Sequence, residues 1–314
     1  MTNILVIGSL NADLVVRAPR FPAPGETIQG EDLVTVPGGK GANQAVAAAR
    51  LGADVAMIGR VGADSFGASL IENLKQNHVD ATHVTRDTSA ATGTAVIVVD
   101  SHGQNSIVLS PGANAKVKPA DVEPASFLDP KLLLLQLEIP TETVLHAARL
   151  AKESGLGVLL NPAPAHEMPD ELLALADFII PNETELSLLA GKTPAPSAGK
   201  TVNDVRSAEA AARSLVRREA QIVIVTLGAN GALIVNKGSA KHIPSFKVNV
   251  VDTTAAGDAF ISGFAVAWLG GQSLEDAVQY ASACGALAVT KFGAQPSLPT
   301  ANEVSKFMSL REGT

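Results

Sequence analysis

The chain has 314 residues, enough for one large α/β domain with a small appendage or for two domains. Hydrophobic residues make up 46% and aromatic ones only 4%, so the core must be aliphatic, and a net charge of −7 argues against nucleic acid or an anionic membrane as the main partner. The one cysteine, Cys284, excludes an internal disulfide framework, suits a reducing cytoplasm, and reads as a packed core thiol among Ala281, Ser282, Ala283 and Gly285.

A first strand is expected from Ile4 to Gly8; its apolar run is too short for a signal helix, and no apolar run reaches the roughly 18 residues that span a bilayer. A cytoplasmic protein is expected. Further β-prone stretches follow at Leu14 to Val16 and Leu33 to Val36, separated by three prolines and two glycines between Ala18 and Gly30. Helical patterns at Ala42 to Leu51 and Ser65 to Asn77 flank a strand at Val55 to Gly59. Thr94 to Val99 and Ser106 to Leu109 read as a hairpin.

From residue 131 strand and helix alternate. Strands are expected at Leu132 to Leu137, Leu156 to Leu160, Phe178 to Ile180, Ile222 to Thr226 and Lys247 to Val251. Helices are expected at Thr141 to Ser154, Asp170 to Leu175, Glu183 to Leu189, Ala208 to Glu219, Gly257 to Leu269, Leu274 to Val289 and Asn302 to Leu310. The stretch Pro194 to Gly199 reads as a surface loop, and Trp268 as a core residue. Apolar strands alternating with helices imply a mostly parallel sheet covered on both faces, with ligands at the carboxyl ends of its strands. Segments 12–36 and 94–110 break the alternation and read as a small antiparallel sheet, a lid on a single domain of residues 1–314.

The most informative stretch is Asp252-Thr253-Thr254-Ala255-Ala256-Gly257-Asp258, which opens a helix. Unpaired N–H groups and the positive end of the helix dipole make such a start a site for phosphate oxygens. Asp258 has two readings: a favoured helix-start residue, or a base that deprotonates a hydroxyl beside an anion hole. The bare backbone of Ala255, Ala256 and Gly257 favours the second.

Gly38-Gly39-Lys40-Gly41-Ala42-Asn43-Gln44 permits close backbone approach and supplies donors, or serves only as a helix-entry turn; it lacks both the Walker spacing and the dinucleotide fingerprint, which speaks against a Rossmann dehydrogenase. Asn11 and Asp13 follow the first strand, where they act as turn residues or as partners of vicinal hydroxyls. Glu138 closes an apolar strand and falls at the same edge. Glu185 suits either the dipole of its helix or the water shell of Mg²⁺. The turn Thr226-Leu227-Gly228-Ala229-Asn230-Gly231 serves as a hairpin loop or as a bed for a nucleotide. The six histidines lack metal-ligand spacing.

These motifs, with Asn161-Pro162-Ala163-Pro164, Pro181-Asn182-Glu183-Thr184-Glu185 and Gly293-Ala294-Gln295-Pro296-Ser297, resemble the ribokinase-like carbohydrate kinase family over essentially the whole chain. The resemblance implies a three-layer α/β/α sandwich with a β-sheet lid that also makes a homodimer contact. It implies ATP-dependent phosphorylation of D-ribose at its 5-hydroxyl, with Asp258 as base and Ala255, Ala256 and Gly257 as anion hole. Asn11, Asp13, Gly39, Lys40, Asn43 and Glu138 would hold the sugar. Asn182, Thr226, Leu227, Gly228, Ala229, Asn230, Gly231 and Ser282 would line the ATP site together with Gly257 and Asp258. Glu185 would organise Mg²⁺ through water. Asp252, Thr254, Ala288, Lys291, Gly293 and Ser297 match the loops that bind an activating monovalent cation such as K⁺.

Two departures stand out. The turn reads Ala-Ala-Gly where many members have Gly-Ala-Gly, tolerable if residue 255 keeps a negative φ, and Ser282 stands where a member often has His near the adenine. The alternatives carried forward are a sibling kinase for deoxyribose, a nucleoside or another sugar, and a non-catalytic sugar- or nucleotide-binding regulator.

Overall fold

The computed structural model describes residues 3–127, 129–191 and 204–310. The predicted loop at Pro194 to Gly199 lies outside them. In chain order the first half contributes β1 (Ile4–Ile7), β2 (Asn11–Arg17), β3 (Val34–Gly38), α1 (Lys40–Arg50), β4 (Val55–Gly62) and α2 (Ser65–Gln76). Then come β5 (Val79–Asp80), β6 (Val84–Asp87), β7 (Gly93–Val99), β8 (Asn105–Ser110), β9 (Leu132–Leu135), α3 (Thr141–Glu153) and β10 (Gly157–Leu160). The second half continues with α4 (Asp170–Leu175), β11 (Phe178–Ile179), α5 (Glu183–Ala190), α6 (Val205–Leu215), β12 (Ile222–Thr226), β13 (Ala232–Val235) and β14 (Ala240–Ile243). It ends with α7 (Ala256–Leu269), α8 (Leu274–Ala288), α9 (Ala294–Ser297) and α10 (Ala301–Ser309).

Among the described residues the large sheet runs β14-β13-β12-β11-β10-β9-β1-β4-β5, with β6 also on β4. Its pairs from β11–β12 through β4–β5 are parallel, and β12–β13 and β13–β14 are antiparallel. The central strands are apolar at every position because both faces are covered. Ile4 and Val6 point into one core with Leu132, Leu134, Val46 of α1 and Phe264 of α7. Leu5 and Ile7 point into the other with Leu133, Leu135, Val144 of α3 and Ala211 of α6. Each such buried Leu or Ile contributes roughly 1.5–3 kcal/mol relative to an exposed one. Trp268 packs edge-on against Phe178, centroids 5.2 Å apart, while Cys284 is fully buried as predicted.

The lid is a separate sheet in the order β3-β2-β7-β8. Two antiparallel pairs, β2–β3 and β7–β8, flank a parallel β2–β7 pair, so it is more mixed than two hairpins side by side. Arg17 at the end of β2 holds its guanidinium 4.5 Å from the centroid of Phe292, which ties the lid to the body.

One predicted strand is absent. Lys247 to Val251 is β-prone but forms no strand; Val250 and Val251 are exposed, and Val251 N–H bonds only the end of α8, at Val289 O. Propensity alone does not make a strand where no neighbour offers a ladder.

Candidate active site

Gly39 opens the site. Its φ of 87° suits glycine, and a Cβ there would lie 2.8 Å from Asn11 N, so the loop end of β1 and the start of α1 meet backbone to backbone. Gly41 is still tighter, since a Cβ would fall 2.6 Å from Ser9 N. This contact places Lys40, Asn43 and Gln44 of α1 against the first turn of α7, where Asp258 is buried.

Asp258 receives hydrogen bonds on both oxygens: Asn43 Nδ2 donates to Oδ2 and Gln44 Nε2 to Oδ1, each at 3.0 Å. Burial pushes its carboxyl above the ordinary range, against the pull of Lys40 and the two amides. Asp13 is pushed up to about 7 by burial and by the neighbouring charges of Glu138 and Asp258. Burial works against the Lys40 ammonium, but Asp258, Glu138 and Glu185 outweigh it and raise its pKa. Lys40 is the cation of a nest of carboxylates.

Glu138 Oε2 accepts from Ser9 Oγ at 2.5 Å and from Lys40 N–H at 3.0 Å, which fixes it at the edge where the sequence placed it. Asn11 is held by Asn114 Nδ2 at 2.7 Å. Asn114, from the 3-10 turn Gly112–Lys116, carried no signal in the sequence. The side chains of Ser9, Gln44, Asn114, Gln136 and Asn161 are all buried. Of these, Gln44 and Asn161 fall within motifs already marked in the sequence, whereas Ser9, Asn114 and Gln136 carried no signal there.

Ala255 departs from expectation. It has φ 58° and ψ 11°, a left-handed conformation, not the negative φ its side chain favours. The turn imposes this: Asp252 Oδ1 accepts from Thr254 N–H and Oγ, Oδ2 from Gly293 N–H, and α7 starts directly afterward. A Cβ on Gly257 would meet nothing within 4 Å, so the helix start is open on that side.

The same bonds bring the 252–254 turn against the 293 turn, and Asp252 N–H also reaches Val289 O beside Ala288. Lys291 pairs with Glu303 at 2.6 Å, and Ser297 Oγ donates to Ala294 O. The side chains of Lys291 and Ser297 are thus engaged elsewhere.

Asn182 caps α5 in a reciprocal box: Asn182 Oδ1 accepts from Glu185 N–H and Glu185 Oε2 from Asn182 N–H. Glu185 keeps its other oxygen. Asn182 bridges to Thr226. The turn Leu227, Gly228, Ala229, Asn230 and Gly231 bonds mainly to itself, through Leu227 N–H to Gly231 O and Asn230 N–H to Leu227 O. Ser282 Oγ donates to Val278 O inside α8, so its hydroxyl is occupied in the helix. Among the described residues no cluster of three or more His, Cys, Asp or Glu could hold a metal.

A cleft between lid and body is lined by Asp13, Arg17, Val36, Ile97, Thr253 and Phe292, and reaches Thr254 just before α7. Residues 1–301 match the pfkB family of carbohydrate kinases. A ribokinase of Haemophilus influenzae is 43% identical over 307 residues, 97% of this chain and 98% of the relative. A deoxyribokinase of Salmonella typhi is 40% identical over 313 residues, 99% and 100% of the two chains. The solved structure of an Arabidopsis thaliana ribokinase with ribose and ATP superposes with a TM-score of 0.87 at 34% identity, covering 98% of this chain and 99% of that one. The match over residues 1–301 and the full-length likeness to curated sugar kinases lead to one conclusion: the chain belongs to the pfkB family of carbohydrate kinases and is an ATP-dependent sugar kinase.

Proposed function

We propose that the protein transfers the γ-phosphoryl group of ATP to the 5-hydroxyl of D-ribose, giving D-ribose 5-phosphate and ADP. The observation that carries this is Asp258, buried at the start of α7 and held by two amides from the sugar-side helix α1. The hydroxyl proton passes to the Asp258 carboxylate as the new oxygen–phosphorus bond forms and the bond to ADP breaks. The N–H groups around Ala255, Ala256 and Gly257 offset charge on the transferred group. Asn11, Asp13, Gly39, Lys40, Asn43 and Glu138 hold the ribose hydroxyls. Asn182, Thr226 and the 227–231 turn bed the nucleotide, with Ser282 near its base.

Glu185, with one carboxylate oxygen outside its helix cap, would order the waters of a Mg²⁺ bound with ATP, which would offset phosphate charge. Asp252 and Thr254, with main-chain oxygens of Ala288, Lys291, Gly293 and Ser297, would hold K⁺, which would stiffen the turn before α7. The lid supports a homodimer: Val108 and Ile107 of β8 are 68% and 54% exposed, beside exposed Leu109, Val96, Leu33 and Val34. Sedimentation of Val108→Glu as a monomer, with the wild type a dimer, checks that contact. The single cysteine suits a cytoplasmic enzyme.

A coupled ADP-release assay over ribose, deoxyribose, nucleosides and other sugars, with and without K⁺, tests the reading. Ribose should give the highest kcat/KM, stimulated by K⁺. Preference for deoxyribose is the second reading, favoured by the name of the Salmonella relative. Ribose binding without ADP release would leave a regulator instead.

A further inference from the structure

The geometry points to Gln44 as a positioning residue for Asp258: a buried chain of amides, anchored at three strand ends, fixes one oxygen of the base and leaves the other for the sugar hydroxyl. This rests on Asp258 being the base. Gln44 is fully buried, and its Nε2 donates both to Asp258 Oδ1 at 3.0 Å and to Asn161 Oδ1 at 3.2 Å. Its Oε1 accepts from Gln136 Nε2 at 2.6 Å. Both N–H groups and one lone pair are thereby used.

The orientation has one solution. A carboxylate only accepts, so the Gln44 NH₂ must face Asp258. Asn161 Nδ2 donates to Ile180 O at 3.0 Å, which turns Asn161 Oδ1 toward Gln44. Flipping the Gln44 amide would set its oxygen against two acceptors and its NH₂ against the Gln136 donor. Asn161 directly follows β10 and Gln136 directly follows β9. Gly8, directly after β1, is bare where Gln136 lies: a Cβ there would run into the Gln136 amide oxygen. The helix is tied down as well, since Ser262 Oγ of α7 donates to Gln44 O at 2.9 Å.

The two oxygens of Asp258 are therefore unequal. Oδ1 faces this buried network, in which every amide N–H toward Gln44 and Asp258 is used and only Gln136 Oε1 lacks a partner. Oδ2 meets Asn43 Nδ2, and Asn43 Oδ1 is buried with no hydrogen-bond partner in the protein, which suits a sugar hydroxyl donating there. We assign Oδ2 as the proton acceptor and Gln44 as the group that orients it and favours its charge. Burial disfavours that charge, and a donor to the ionised form opposes burial. The other charges facing Asp258 are Lys40 of α1, Glu138 after β9, Asp13 of β2 and Glu185 of α5.

The test is the pH profile of turnover for Gln44→Met with saturating ribose and Mg-ATP. Losing one donor to the carboxylate moves the acid limb of kcat about one unit toward higher pH, lowers kcat near neutrality about tenfold or more, and leaves sugar KM within about threefold. Turnover recovers as pH rises, which a loosened fold would not produce. Gln136→Met removes only the support behind Gln44 and should move the limb the same way by less; it serves where Gln44→Met does not accumulate. An unmoved acid limb in a folded Gln44→Met, or in Gln136→Met where that is the only folded variant, overturns the assignment. Asp258→Asn, run in parallel, separates the two claims. If it keeps near-normal turnover the base reading itself fails; if it is inactive while the limb stays put, only the role of Gln44 fails.

Discussion

Asn114 clamps the chain around Asn11: its Nδ2 donates to Asn11 Oδ1 at 2.7 Å and to Leu10 O at 3.1 Å, while its Oδ1 accepts from Leu10 N–H at 2.9 Å. All of these groups are buried. Asn114→Ala leaves three polar groups without partners, and one such orphan costs roughly 1–3 kcal/mol. The expected result is a lower Tm and a sugar KM raised about tenfold, with kcat within about threefold. Steady-state kinetics and a thermal melt check both.

At Ala255 the expected direction is stabilising. A left-handed alanine costs about 1–2 kcal/mol that glycine avoids, and glycine's looser unfolded chain takes back part of that. Ala255→Gly should gain about 0.5–1 kcal/mol in urea unfolding. A loss of stability would mean that the Ala255 methyl packs to more effect than its backbone strains.

Asp13 carries a pH signature. Its folded pKa is about 7 against an ordinary 3.8, so between those values the folded protein holds a proton that the unfolded chain has released. The stability attached to that proton is fully present below about pH 4 and is lost as pH rises toward 7. Asp258, also raised by burial, tilts the curve the same way. Asp13→Asn should therefore raise Tm at pH 8, by an amount on the order of 3 kcal/mol in stability, and flatten the decline between pH 4 and 7. Sugar binding, followed by calorimetry, should weaken at the same time.

Gly41→Ala tests the backbone contact that assembles the site. The new Cβ would meet Ser9 N, Gly8 C and Gly8 Cα at 2.6–2.8 Å, all main-chain atoms that cannot rotate away. A cost of about 3 kcal/mol or more is expected, the upper end for overpacking, together with a raised sugar KM as Lys40 and Asn43 shift.

The sequence made the frame legible wherever period and length agreed. Ile222 to Thr226 and Asp170 to Leu175 fall on the observed spans because each is bounded by clear breaks. Short edge strands escaped: β5 has two residues and β6 has one apolar residue followed by three polar ones, too little for a periodic signal. The strand expected at Lys247 to Val251 failed for the opposite reason, a strong local preference that joins no ladder in either sheet. Glycine motifs and strand ends pointed to Asn11, Asp13, Lys40, Asn43 and Asp258, which the fold gathers along one sheet edge and helix start. What stayed hidden was second in line. Gln136 and Asn114 bond partners more than 90 residues away in the chain, and no local pattern marks a buried amide; Gln44 stood inside the glycine motif without a role of its own.

The scarcity of aromatic residues has an optical consequence. Trp268 is the chain's sole tryptophan, and it lies near the far end of the helix whose first turn holds Asp258. Its indole packs against Phe178 and Phe264, so its intrinsic fluorescence reports from one known place. Any repacking of α7 that follows nucleotide or sugar arrival can be watched there in real time, without a label.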